Sequence, residues 1–88
     1  MFRMWAKIMR DNHLLRDTVI CMPDYSMSRT QMVFDSLDQI CYKFDLGKPL
    51  WLDASVREFQ LHSKVRFYQD SFIESIDFDF LEIQVIEE

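Results

Sequence analysis

Apolar and polar residues alternate at the start of the chain, where every even-numbered residue from 2 to 8 is apolar. A period of two over residues 2–9 predicts a strand with one buried face. The polar cluster at residues 11–13 predicts a turn, and residues 14–22, which are rich in β-branched side chains, predict a second strand. We therefore expect an antiparallel hairpin that ends at Pro23, followed by a polar connection over residues 24–30.

An apolar stripe predicts the main helix over residues 29–46. Its positions follow the spacing i, i+1, i+4, i+7, i+8 and i+11, which places them on one face of an α-helix: Val33, Phe34, Leu37, Ile40, Cys41 and Phe44. Ser28 and Gln31 have the spacing of a capping box at the start of this helix. Gly47 is expected to take the left-handed conformation beyond its end, and Pro49 prevents further continuation.

A shorter second helix is predicted after residue 52. Asp53 or Ser55 has a side chain suited to capping its first turn, and the helix would reach about Leu61. Val56 and Phe59 would then face the protein interior, because they are three residues apart.

Two further strands are predicted in the last third of the chain. Residues 64–69 alternate between polar and apolar side chains, and residues 70–75 fit either a turn or a helical turn. From Ile76 onward the pattern predicts a strand again. The apolar parity changes at Phe80-Leu81, which predicts a β-bulge or a break there.

The resulting order is β-β-α-(α)-β-β, with both strand pairs expected as hairpins. We expect residues 1–88 to form a single α+β domain with an antiparallel or mixed four-stranded sheet and one main helix packed on one face. The last strand is predicted to lie beside the first, because their charges are complementary. Glu82 and Glu87 would face the cations of the first strand and its end: Arg3, Lys7 or Arg10.

Composition places the chain among folded, intracellular proteins. Its 88 residues are 49% hydrophobic and 15% aromatic, which is unlike a disordered chain. No apolar run approaches a membrane span, and residues 1–10 lack the uninterrupted apolar region of a secretory signal. We therefore expect a cytoplasmic protein in which Cys21 and Cys41 are buried thiols without a disulfide.

The sequence contains no recognisable catalytic or cofactor-binding motif. It has no glycine-rich phosphate loop, and the spacing of its histidines and cysteines matches no metal-binding pattern. We therefore expect no enzymatic activity, no cofactor and no metal. His13 is expected to be a solvated turn residue. The alternative is a small enzyme that uses His62, at the end of the second helix, as its acid–base group.

A nucleic-acid interface is a second possibility. Cations and rings interleave over Arg57–Tyr68, and alternation would place Lys64, Arg66 and Tyr68 together on an outer sheet face. The net charge of −5 argues against binding that depends on a dominant positive field. The simpler interpretation is a solvated sheet face.

The whole chain also resembles a group of small uncharacterised proteins of clostridia and related Firmicutes. The resemblance rests on residues Met4–Ile8 and Asp11–Leu15 near the start, and on Phe59–Phe72 and Ile73–Phe78 near the end. It implies a bacterial origin. No activity is established for that group, so the resemblance implies no function.

Protein interaction is the leading hypothesis from the sequence. Trp5 shares its predicted strand face with Arg3, and Met9 lies on the same face, while Trp51 lies in a connection between helices. An outward-facing Trp beside Met is typical of an interface, although either Trp could instead belong to a second core layer. We therefore expect a protein partner or a second copy of the chain as the binding partner, with no membrane association.

Overall fold

The computed structural model describes residues 1–23 and 27–88, so part of the predicted 24–30 connection lies outside the described residues. Four strands and two α-helices follow the predicted α+β order. The elements are β1 (Phe2–Arg10), β2 (His13–Met22), α1 (Arg29–Phe44), α2 (Asp53–His62), β3 (Lys64–Phe67) and β4 (Phe80–Glu87). Within the described ranges, no helix is both long and apolar enough to cross a membrane.

The four strands form one antiparallel sheet in the order β2-β1-β4-β3. The last strand therefore pairs with the first, as the charge pattern predicts. Two of the expected ion pairs form across this junction: Arg3 Nε lies 2.9 Å from Glu87 Oε1, and Lys7 Nζ lies 2.7 Å from Glu82 Oε2. The guanidinium of Arg10 instead donates to the backbone carbonyl of Asp77 at 3.3 Å.

A two-residue turn connects β1 to β2. Asp11 and Asn12 both have left-handed backbone angles, with φ of 53° and 65°, as a type I′ hairpin turn requires. His13 is the first residue of β2 rather than part of the turn. A β-bulge between Ile8 and Met9 leaves Leu15 as the extra residue of β2.

The core lies between one sheet face and the helices. The even-numbered residues of β1 from Phe2 to Ile8 are all buried, together with five of the six predicted stripe residues of α1. Phe34 is the exception and is 48% exposed, because it lies at the border of the stripe. Its ring contacts Trp51 edge-on, with centroids 6.0 Å apart. The sequence pattern therefore predicts the packed face of α1 correctly except at this border.

The predicted residue caps the start of α1, but a different residue from the predicted one ends it. Ser28 Oγ accepts a hydrogen bond from the Gln31 backbone at 3.2 Å, which confirms the predicted N-cap. At the other end Asp45, with φ of 57°, takes the left-handed position instead of Gly47. Gly47 has a different contact: its amide donates to Glu74 Oε1 at 2.7 Å, and a side chain added here would require the exposed Glu74 carboxylate to shift.

Helix α2 also begins differently from the prediction. Leu52 occupies the N-cap position without a side-chain hydrogen bond, so neither Asp53 nor Ser55 acts as the cap. Asp53 lies in the first turn, where its charge is favourable to the helix dipole. Phe59 is buried as expected, but Val56 is 39% exposed because it borders a groove rather than the core.

β3 and β4 pair antiparallel as the predicted second hairpin requires, but their connection is longer than expected and the predicted strand start at Ile76 is wrong. β4 begins at Phe80. The change of apolar parity at Phe80-Leu81 therefore marks the break between the connection and the strand, and not a β-bulge. Gln69, in a short 3-10 turn, holds the connection in place. Its amide donates to the carbonyl of Glu74 at 2.8 Å and accepts from the amide of Ile76 at 2.9 Å. These bonds replace a strand ladder.

The two cysteines differ in their surroundings. Cys41 is buried in the core on α1, whereas Cys21 is exposed on the edge strand opposite Arg3, contrary to the expectation that both are buried. The strand period places Cys21 on the sheet face that the helices leave uncovered. Burial, with a smaller contribution from Asp38, raises the pKa of Cys41 to about 11.

Candidate interaction surface

Both helices lie on one side of the sheet, and within residues 1–23 and 27–88 no helix covers the other side. We call this side the open face; it consists of the odd-numbered residues 3–9 of β1 and their neighbours on the other strands. The open face follows directly from strand alternation, because the even-numbered residues of β1 point into the core. Two rows of side chains cross it from strand to strand.

The first row is charged and alternates in sign. It runs from Asp17 on β2 through Lys7 and Glu82 to Arg66 on β3, each residue directly opposite the next. Glu82 is only 4% exposed, and it accepts hydrogen bonds from Lys7 Nζ at 2.7 Å and Arg66 Nε at 2.8 Å. Burial alone would raise the pKa of Glu82, but the hydrogen bonds from Arg66 and Lys7 outweigh it and lower that pKa. Glu82 is therefore an ionised group held by two cations.

Arg66 is fixed by this row as well. Its guanidinium lies 4.6 Å from the ring centroid of Phe80 while it donates to Glu82. The pKa of Arg66 is raised, mainly by that hydrogen bond. Its charge is therefore largely engaged within the protein, although its side chain is 48% exposed.

Trp5 lies on the open face beside the charged row, so it does not belong to a second core layer beneath the connections. Its indole N–H donates to Asp17 Oδ2 at 3.1 Å, and Lys7 Nζ lies 4.2 Å from its ring centroid. Val19, its neighbour on β2, is 44% exposed. The ring of Trp5 is thus oriented by a hydrogen bond at its edge and by a cation over its face, and the side chain remains half-buried.

The second row is apolar. Leu14, Met9 and Phe80 lie opposite one another on β2, β1 and β4, and Tyr68 contacts Phe80 with ring centroids 5.6 Å apart. Leu14 and Tyr68 are each 49% exposed, while the two central residues are half-buried. We call these four residues the apolar row. The sequence indicated Met9 but not Leu14 or Phe80; the missing signal is the cross-strand register, which long-range pairing sets.

Trp51, the third residue proposed from the sequence for interaction, lies elsewhere. It packs on the helix side of the sheet, edge-on to Phe34, Phe59 and Phe67, with centroids 6.0, 5.6 and 5.0 Å away. Trp51 is half-buried in this aromatic cluster. The structure therefore brings Trp5 and Met9 together on one surface and separates Trp51 from them.

The residues proposed for nucleic-acid binding share the open face. Lys64 is exposed, and Tyr68 belongs to the apolar row, but Arg66 is engaged with Glu82. The open face has a net charge of +1. It carries four cations, Arg3, Lys7, Lys64 and Arg66, and three anions, Asp17, Glu82 and Glu87. Such alternation is a poor match to a continuous phosphate backbone. Nucleic-acid binding stays a prediction.

The two histidines lie at element ends. His13 begins β2 and His62 ends α2, and both are exposed. In the described part of the chain, no group of three or more His, Cys, Asp or Glu residues is arranged to hold a metal ion. Because His62 is exposed at the end of a helix, its structural surroundings add no support to an acid–base function, which stays a prediction from the sequence.

Comparison with known proteins found no match to this chain among protein-family models, curated proteins or solved structures.

Proposed function

We propose that the protein is a small non-enzymatic interaction module whose open face packs against the open face of a second copy. The observation that carries this proposal is the apolar row, which crosses β2, β1 and β4 and reaches Tyr68 just after β3, on a sheet face that no described helix covers. Contiguous exposed apolar side chains of this kind are typical of interaction surfaces. Face-to-face packing of two sheets about 10 Å apart is a common way to bury them.

The size of the open face supports a dimer. Its strands have 9, 10, 4 and 8 residues. At about 3.3 Å per residue and 4.8 Å per strand, they cover a plan area of about 490 Å². The accessible area of projecting side chains exceeds the plan area, and small specific interfaces bury about 600 Å² on each partner. The open face is therefore large enough for a small homodimer.

The charge distribution also supports a second copy as the partner. The whole chain has a net charge of −5, so its excess acidic residues lie outside the open face, where copies do not meet. A two-fold axis parallel to the strands would bring the β2 edge of one copy over the β3 edge of the other. Asp17 would then approach Arg66 of the second copy, since both residues belong to the charged row and lie on opposite edge strands. Opposite charges would meet at both borders of the dimer.

Sedimentation velocity across a concentration range from about 5 to 500 μM tests the proposal, because this range detects dimers with micromolar dissociation constants. Met9→Glu places a charge at the centre of the apolar row, and Tyr68→Glu does so at its exposed end. The matched control is Ile73→Glu, because Ile73 is an apolar residue that is 90% exposed in the β3–β4 connection.

We expect the wild-type chain and Ile73→Glu to dimerise equally, and both variants of the apolar row to weaken association at least tenfold. Circular dichroism establishes that each variant is folded, and Tyr68→Glu supplies the test if Met9→Glu does not fold. A wild-type chain that is monomeric throughout the range refutes the proposal. A dimer that Ile73→Glu disrupts as strongly as Tyr68→Glu also refutes it.

A further inference from the structure

A second surface lies on the helix side of the sheet, in the groove between α1 and α2. This interhelix groove has a volume of about 310 Å³. Its apolar lining consists of Val33, Phe34, Trp51, Val56 and Phe59. We propose that the interhelix groove binds a small amphipathic carboxylate, with an aromatic or aliphatic body held by the apolar lining and the carboxylate held by Arg29. This site is independent of the open face, which lies across the sheet.

The apolar lining is accessible because two side chains depart from the helix patterns. Phe34 and Val56 are 48% and 39% exposed although the sequence pattern assigns both to buried positions. Each belongs to a different helix, and both border the groove. Phe59 and Trp51, in contact edge-on at 5.6 Å, present aromatic carbon to the same space. An apolar ligand body would cover these surfaces.

Arg29 supplies the charge complementarity. It lines the groove, and its guanidinium lies 5.4 Å from the ring centroid of Phe59. The Glu88 side chain already places a carboxylate oxygen on Arg29 Nε, while Arg29 Nη2 donates to Ser63 Oγ at 3.3 Å. The Arg29 and Glu88 side chains are 44% and 52% exposed, so solvent reaches this ion pair. An exposed ion pair contributes little stability, and a ligand carboxylate can replace Glu88 at small cost.

The volume of the groove restricts the ligand to small molecules. At about 310 Å³ it lies at the lower end of the range of ligand sites, which is roughly 300–1,000 Å³. Polar lining beyond Arg29 comes from Thr30 and Gln60. A single ring or short chain bearing one carboxylate therefore suits the groove better than a nucleotide or a folded partner.

The experiment uses phenylpropionate as the probe and phenylpropanol as its uncharged analogue of similar shape. Each compound is titrated to about 5 mM into the full ¹⁵N-labelled chain, and amide chemical shifts are followed by NMR. This concentration range is suited to dissociation constants that are millimolar or tighter. The test variant is Arg29→Gln. The matched control is Arg57→Gln, which removes an arginine from an exposed position of α2 outside the groove lining. Val56→Trp is a second variant that fills the groove.

We expect phenylpropionate to bind with a submillimolar dissociation constant and to shift amides of α1 and α2 around the groove. Phenylpropanol and the Arg29→Gln variant should each bind at least tenfold more weakly, and Val56→Trp should abolish binding, whereas Arg57→Gln should match the wild type. Glu88→Gln should tighten binding, because it removes the competing carboxylate. Equal affinity for the acid and the alcohol, undiminished binding to Val56→Trp, or no shifts in the wild type would overturn the proposal.

Discussion

Replacing Glu82 by Gln removes the central negative charge of the charged row and preserves the shape of the side chain. Glu82 is 4% exposed and accepts from Lys7 at 2.7 Å and from Arg66 at 2.8 Å. A hydrogen bond to a charged group contributes about 1.5–3 kcal/mol when it is shielded from water. Arg66 is 48% exposed, so its contribution is reduced by solvent, whereas Lys7 is only 22% exposed. The substituted amide can still accept one hydrogen bond, and we expect a loss of about 2 kcal/mol in the free energy of unfolding near pH 7.

The pH dependence of this loss identifies its cause. Because the pKa of Glu82 is lowered in the folded protein, its ionised form stabilises the fold above the unfolded-state pKa of about 4.3. That stabilisation disappears as the pH falls through the folded-state pKa. The difference between wild type and Glu82→Gln should therefore be largest at neutral pH and should shrink below about pH 4.

Urea unfolding followed by circular dichroism at several pH values measures this difference. The matched control is Glu87→Gln, because Glu87 pairs with Arg3 on the same sheet but both side chains are 47% exposed. An exposed pair contributes less than about 1 kcal/mol. Equal losses for the two substitutions, or a Glu82→Gln effect that is the same at pH 3 and pH 7, would refute the assignment of Glu82 as a buried ionised group.

Three further substitutions or reactions test the fold. A thiol reagent should label Cys21 quickly in the native protein and Cys41 only on unfolding, because burial raises the pKa of Cys41 to about 11; a fast native phase that persists in Cys21→Ser would contradict this. Gln69→Ala should lower the free energy of unfolding by about 1–2 kcal/mol in urea titrations, because its side chain makes two short hydrogen bonds within the β3–β4 connection; an unchanged midpoint would contradict it. Ser28→Ala should cost about 1 kcal/mol and lower the melting temperature, since it removes the N-cap of α1, and an unchanged melting temperature would count against that cap.

The local patterns of the chain predict its elements well. The period of two in β1 and the stripe of α1 identify the two surfaces that enclose the core, and most of those residues are buried. Charge predicts one long-range feature, the pairing of the last strand with the first, because Glu82 and Glu87 complement the cations of β1. These features depend either on residues close in sequence or on the opposite charges of two strands.

The remainder depends on long-range packing, which no local pattern encodes. Cys21 is apolar and occurs in a strand, but its exposure follows from its place on the sheet face that the helices leave uncovered. Gly47 fits a helix end, yet its amide donates to Glu74, 27 residues away. The sequence does not distinguish Trp51 from Trp5; the placement of both helices on one sheet face does. Phe80 joins the apolar row only through its register with β1.

Dilution of the ¹⁵N-labelled chain, followed by NMR, tests the role of the open face most directly. Between roughly 1 mM and 20 μM, a range that spans weak association, amide shifts should change with concentration for residues around Met9, Phe80 and Tyr68. Amides on the solvent-exposed side of α1 should not change. Spectra that are identical at every concentration, or changes confined to the helices, would contradict a second copy on the open face.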